Sequence, residues 1–267
     1  MSGIKTGSIS GKDAFMQRIA SRLGRPAPLM EPPSRSAAGV PEHYAQIQLS
    51  EQERIEQFCA NWTALTGTVW IVPESEAAHQ VPALVCQVCA ERGIGRAVRW
   101  DHPELDGWPI DAVLGEAGVS VLRWREGGAA GEGAEDAVRT GNPDQTENGW
   151  NRRSPLLRSA EQCRIGIVWA DYAVANTGTL VLLAQGGQGR SVSLLPDTLF
   201  AVFRADRLAT RMGEVFEAIR SRYPDAASIP SSINFVTGPS RSSDIENDLT
   251  VGIHGPGNVY AVILTAS

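Results

Sequence analysis

The feature that most constrains this fold is an alternation of short apolar runs with segments of helical period. Thr68-Val-Trp-Ile-Val72 reads as a strand, and a helix from about Pro82 to Arg92 follows it. Short strands come next at Ala97–Trp100 and Val119–Trp124. Further strand candidates are Arg164–Val168, Thr179–Leu183, Phe200–Phe203, Ile233–Val236 and Val259–Leu264. A helix over about Asp206–Arg220 carries Leu208, Met212, Val215, Phe216 and Ile219 on one face. Strand–helix–strand rhythm of this kind predicts an α/β fold with a mainly parallel sheet flanked by helices. The hydrophobic share of 42% supplies an ordinary core for such a domain.

Two stretches stand outside that rhythm. Ser10-Gly-Lys-Asp13 resembles a helix cap, and Phe15, Ile19 and Leu23 then repeat at helical spacing until Gly24 and Pro26. Five prolines between Pro26 and Pro41 make an extended linker, so residues 1–44 read as an N-terminal helix and tether, and 45–267 as the α/β domain. The tether leaves the first helix free to dock away from the body or on a partner. Ser50-Glu-Gln-Glu53 is a capping box, with Ile55, Phe58, Cys59, Trp62 and Leu65 forming the stripe behind it. Residues 126–150 hold six acidic residues and one arginine among Gly, Ala, Asn and Thr, and read as a flexible surface loop, either a lid or merely solvated.

Composition excludes several classes of function. A net charge of −6 argues against a nucleic-acid surface, which needs concentrated basic side chains. No apolar run is long enough to cross a bilayer, and the N-terminus lacks the apolar stretch of a secretory signal, so a cytoplasmic protein is expected. Of 24 basic side chains only Lys5 and Lys12 are lysines, and no GxxxxGK[ST] string occurs. A Walker A loop or a Schiff-base lysine therefore has no support. Cys86 and Cys89 form a CxxC in a helical segment, either half of a metal site or a buried helix face. No second pair of thiols accompanies them, and histidines at ligand spacing are absent, so no metal is expected in this chain.

The chemistry-bearing residues gather in four loops near strand ends, where open α/β sheets place ligands. Asn176-Thr177-Gly178-Thr179 enters a strand. Gly186-Gly-Gln-Gly-Arg190 leads to Ser191, and Arg190 is either an anion ligand or a surface arginine. Gly238-Pro-Ser240-Arg241-Ser242-Ser-Asp244 follows a strand and reads as opening a helical turn. Backbone N–H groups at such a start, with Ser hydroxyls and the Arg241 fork, favour carboxylate or phosphate. Asp244 there is a candidate acid or base, a cap, or a partner of Arg241. Gly252-Ile-His254-Gly-Pro-Gly257 precedes the last strand, and His254 is either a general acid or base or a backbone-bonded turn residue. The other histidines, His43, His79 and His102, lie outside these loops.

The order of these segments resembles the LUD-domain family, of the lactate-utilization protein C type. The strings that carry the resemblance are ADYAVANTGTLVLL (170–183), GRSVSLLPDTLFAVF (189–203), INFVTGPSRSSDIE (233–246) and VGIHGPGNVYAVIL (251–264), with FMQRIASRLGRP (15–26) ahead of them. The resemblance implies a NagB/RpiA/CoA-transferase-like (formyltetrahydrofolate cyclo-ligase-like) fold. It also implies a place beside two iron–sulfur partner proteins that together oxidise L-lactate to pyruvate, with the clusters on those partners and no cofactor in this chain. The fold relatives imply an alternative, a free-standing enzyme or binding protein for a phosphate, CoA or folate-type ligand. Where the family commonly has Ala-Glu-Thr-Gly-Thr, this chain has Ala175-Asn-Thr-Gly-Thr179. Asn176 hydrogen-bonds but cannot act as a base at neutral pH, so a catalytic role for that family Glu would not carry over.

Overall fold

A computed structural model describes residues 11–31, 48–125, 155–243 and 249–266. The 126–150 stretch, most of the proline-rich tether and Asp244 lie outside the described residues. The chain divides into two compact units, Met1–Ile47 and Gln48–Ser267. In the first, α1 (Lys12–Arg22) starts from Gly11 with no side-chain cap, and Phe15, Ile19 and Leu23 are exposed. Among the described residues no helix is long and apolar enough to cross a membrane.

The second unit is built on a six-stranded sheet in the order β1-β12-β7-β4-β2-β3. Its strands are β1 (Thr68–Pro73), β2 (Arg96–Trp100), β3 (Ser120–Trp124), β4 (Ile165–Trp169), β7 (Thr198–Arg204) and β12 (Asn258–Thr265). Every neighbouring pair is parallel. The central strands β4, β7 and β12 are almost wholly buried, which is why they are apolar runs rather than alternations. The expected α/β fold with a mainly parallel sheet is the fold observed.

A second sheet was not separable in the sequence. It has the order β8-β5-β6-β9, with β5 (Tyr172–Val174), β6 (Thr179–Ala184), β8 (Leu208–Ala209) and β9 (Ser232–Val236). Here β5, β6 and β9 are antiparallel neighbours. One face, with Ala173, Leu180 and Leu182, joins the main core, and the other packs Val174, Val181 and Leu183 against Val215 and Ile219. The helix expected over 206–220 is therefore shifted: Leu208 is in β8, and α8 runs Met212–Arg222. Leu208 fits the helical period, but its partner Ala173 in β5 claims it for a sheet.

Helices cover the sheets. In α2 (Glu51–Ala64) the capping box is complete, and Phe58 stacks on Trp62 at 5.5 Å and meets Phe203 edge-on at 5.2 Å. The next helix, α3 (Ala77–Arg92), begins five residues before Pro82, which sits inside it. Its Cys86 and Cys89 flank a cavity of about 300 Å³, and burial pushes the Cys89 thiol up to about 11. Short helices α4 (Pro103–Asp106), α5 (Ile110–Glu116), α6 (Pro155–Glu161) and α7 (Ser191–Leu194) complete the cover. Between β2 and these helices Arg99, 1% exposed, donates to Asp106 and Asp111. Burial opposes charge on Asp111, yet hydrogen bonds from Arg99 and Arg123 hold its carboxyl below the ordinary value.

Candidate functional site

Three of the four loops come together where α2 ends and the parallel strands begin. The 3-10 turn Ala175–Thr177 is held by Asn61, whose Nδ2 donates to Ala175 O at 2.8 Å, and by Asn176 N donating to Thr210 O at 3.2 Å. This leaves the side chains of Asn176 and Thr177 exposed while Gly178 and Thr179 are buried. Gly178 packs against Asn61 and Trp62 of α2. Behind the turn runs a ladder of hydroxyls: Thr177 Oγ1 to Thr179 Oγ1 at 2.8 Å, and Thr179 Oγ1 to Thr237 Oγ1 at 2.8 Å.

Gly238 follows Thr237 with a φ of 72°, and a Cβ there would lie 2.8 Å from Leu65 Cβ. Both constraints demand glycine. The segment after it is not the expected helical turn. Arg241–Ser243 is β10, paired antiparallel with β11 (Leu249–Val251), with Ser242 opposite Thr250. Short polar side chains at a chain reversal suit a helix start and a hairpin equally, and cross-strand pairing decides for the hairpin. Arg241 turns back to α2, its Nη2 donating to Leu65 O at 2.6 Å. A cation on the negative end of a helix is a favourable pairing, so the guanidinium serves α2 directly.

The 252–257 loop lies on this hairpin. Ser240 N donates to Pro256 O at 2.8 Å, and Gly252 N donates to Ser240 O at 2.9 Å. Gly257 N in turn donates to Asp197 O at 3.0 Å, just before β7. His254 is exposed at the loop's crest. The result is a surface of backbone groups, hydroxyls and one imidazole resting on the strand starts.

Arg190 and Ser191 do not join it. Their turn is anchored at the opposite end of the sheet, where Asp101 N donates to Gly187 O at 3.0 Å and Trp100 Nε1 donates to Gly189 O at 3.0 Å. A Cβ on Gly189 would lie 2.2 Å from the Trp124 ring. Arg190 is exposed, and its carbonyl accepts from Ser193 Oγ at 3.0 Å.

That opposite end, beyond the strand C-termini, holds chemistry that no sequence motif marks. His102 follows β2 by two residues and stacks on Trp169, the last residue of β4, with ring centroids 5.5 Å apart and planes 14° apart. Its Nδ1 accepts the Glu104 N–H at 3.2 Å. Burial holds its pKa below the ordinary value, and Arg222 adds to the effect against Glu104 and Asp106. Asp171, just past β4, accepts from Leu183 N at 3.0 Å and pairs with Arg222 at 3.2 Å. Its burial outweighs both and raises its pKa. Asp101 pairs with Arg125 at 2.8 Å, and Arg204 joins Glu74 at 2.7 Å and Glu104 at 3.2 Å. The available signal for His102 was its position immediately after a strand. Among the described residues no group of three or more His, Cys, Asp or Glu side chains is placed to hold a metal ion.

Comparison with known proteins adds a family to this geometry. The family model described as the LUD domain matches residues 55–264. Curated relatives named Lactate utilization protein C match nearly end to end. The protein from a Geobacillus species is 30% identical, covering 98% of this chain and 99% of the relative. That from Bacillus licheniformis is 33% identical, covering 97% and 98%. That from Bacillus subtilis is 29% identical, also covering 97% and 98%. A solved structure of a DUF162 family protein from Deinococcus radiodurans has the same fold, with a TM-score of 0.50 at 18% identity, over 81% of this chain and 99% of that one.

Proposed function

The chain belongs to the LUD domain family, and we propose that it serves lactate utilization as a cytoplasmic, non-redox subunit working beside two iron–sulfur proteins that oxidise L-lactate to pyruvate. The single observation that carries this reading is the surface at the strand starts. Asn176, Thr177, Thr237, Arg241 and His254 are exposed there on loops pinned by backbone hydrogen bonds and the threonine ladder. Such a surface offers many hydrogen bonds on a rigid base and, among the described residues named, no paired acid and base, which suits docking to a partner protein better than chemistry. Arg241 Nη2 donates to Leu65 O, which ties the guanidinium to the end of α2. Asn176 stands in the exposed turn as a hydrogen-bonding group, where a Glu would bring charge. The names of the relatives support the pathway. The redox centres belong to the partners in this reading; burial raises both Cys89 and Cys163 to about 11, which disfavours the thiolates that clusters need.

The test is L-lactate oxidation in cells lacking the protein, with co-purification of the two iron–sulfur proteins on the tagged chain. Loss of oxidation on deletion, restored by the wild type but not by a Thr237→Arg variant that no longer co-purifies, is the expected result. Full lactate oxidation without the protein would refute the reading.

A further inference from the structure

We propose that the crevice outside Trp100–His102 and Trp169–Asp171 binds a small carboxylic acid with an adjacent oxygen, a 2-oxo or 2-hydroxy acid, and that His102 Nε2–H donates to it.

Topology points to this place first. The chain passes from β2 to β3 on one side, returns to β4 on the other side of β2, and then progresses through β7 to β12 in that direction. The order of the strands thus reverses between β2 and β4. Crevices beyond the strand C-termini at such a reversal are where open α/β sheets hold ligands, because the two loops leave in opposite directions and open a gap. The residues at this reversal are Asp101 and His102 after β2, and Ala170 and Asp171 after β4.

The side chains there are set up to meet a ligand. Because His102 Nδ1 accepts from Glu104 N, the ring proton of the neutral imidazole resides on Nε2. Stacking on Trp169 fixes the plane of the ring, and Trp108 packs against the same indole with ring centroids 6.0 Å apart. At the same end of the sheet further polar groups lack partners. Trp124 Nε1 and Arg204 Nε are buried donors with no acceptor, and Gln188 Oε1 is a buried acceptor with no donor. Trp124 is only 7% exposed and Gln188 9%, so water does not compensate them freely. Trp124 ends β3, Arg204 ends β7, and Gln188 lies in the turn over Asp101, all at the same end of the sheet.

Donors outnumber acceptors among these groups, which calls for a ligand rich in oxygen acceptors. Four carboxylates at this end stand against three guanidiniums: Asp171 pairs with Arg222, Asp101 with Arg125, and Glu74 and Glu104 share Arg204. An arriving acid therefore meets carboxylates that each already accept from a guanidinium, and its affinity comes from the unpaired donors rather than from any excess of positive charge. The choice of a 2-oxo or 2-hydroxy acid rests on the lactate-utilization reading above; the donor-rich crevice itself does not.

The experiment follows the imidazole nitrogen and proton resonances of the full-length protein during titration with pyruvate and, separately, L-lactate, with inorganic phosphate as control. The expected result is an Nε2–H tautomer for His102 and a saturable shift of its Nε2 resonance with one of the two acids, while His254 stays put and phosphate does nothing. His102→Phe keeps a stacked ring and removes the donor, and should weaken binding about tenfold. Trp124→Phe, which removes an unpaired donor and leaves the His102–Trp169 stack untouched, covers the case in which the first variant fails to fold and should weaken binding several-fold. No saturable shift with either acid, a shift confined to His254, or undiminished affinity in a folded His102→Phe protein overturns the assignment. Failure here with lactate oxidation still dependent on the protein would leave the subunit reading standing and remove only this crevice.

Discussion

The two ends of the parallel sheet are built on opposite principles. At the strand starts, loops bind one another through backbone groups and hydroxyls, and Arg241 is used to close a helix. Beyond the strand C-termini, titratable groups are drawn under cover: His102 is stacked and kept neutral, Asp171 is buried, and polar atoms are left unpaired. A satisfied surface is cheap to maintain and offers its exposed groups to another surface. An unsatisfied, half-buried one costs stability, which a ligand that completes the hydrogen bonds returns.

The contrast breaks most sharply at the turn over the C-terminal end. Gly189→Ala drives a methyl into the buried Trp124 indole and should cost about 3 kcal/mol, read by urea unfolding. At the other end, Asn61→Ala frees Ala175 O and loosens the Asn176 turn, an expected loss of about 1–2 kcal/mol. Arg241→Ala should cost about 1 kcal/mol by uncapping α2, with no change in affinity for pyruvate. Gly186→Ala, three residues before Gly189, meets no atom within 4 Å and should be neutral to within about 0.5 kcal/mol. If Gly186 and Gly189 tolerate alanine equally, the turn is not pinned against Trp124.

Acidity separates the ends as well. His102 has a folded-state pKa below its ordinary value because burial disfavours the cation, with Glu104 and Asp106 opposing and Arg222 assisting. Protons then bind the unfolded chain more readily. The contribution to stability is complete above about pH 6.5 and is lost as pH falls through the folded value. His102→Phe should flatten that decline between about pH 7 and pH 5 in denaturant titrations.

Legibility in the sequence followed burial. Strands such as Ile165–Trp169 and Asn258–Thr265 are buried on both faces, so their composition alone marks them, and the expected ranges differ from the observed ones by a residue or two. The two-residue β8 and three-residue β5 carry no period of their own and exist through pairing, so Leu208 fits the period of the helix beside it. The same holds for the hairpin at Arg241–Ser243, where serines and an arginine signal a reversal but not its kind. Glycine-rich loops mark the strand starts but also the turn of Arg190 and Ser191, which is anchored across the sheet. His102 has no glycine neighbours and no motif. What marks it is contact with Trp169, 67 positions away, which only the folded sheet brings about.

The most direct test of this division of labour is thermal unfolding of the wild type, His102→Phe and Arg241→Ala, each with and without pyruvate. At 100 times its dissociation constant a ligand that binds only the folded state adds about 2.7 kcal/mol. The account predicts that Arg241→Ala keeps this stabilisation and His102→Phe loses most of it. Stabilisation that vanishes in Arg241→Ala and survives in His102→Phe would put the ligand at the strand starts and contradict it.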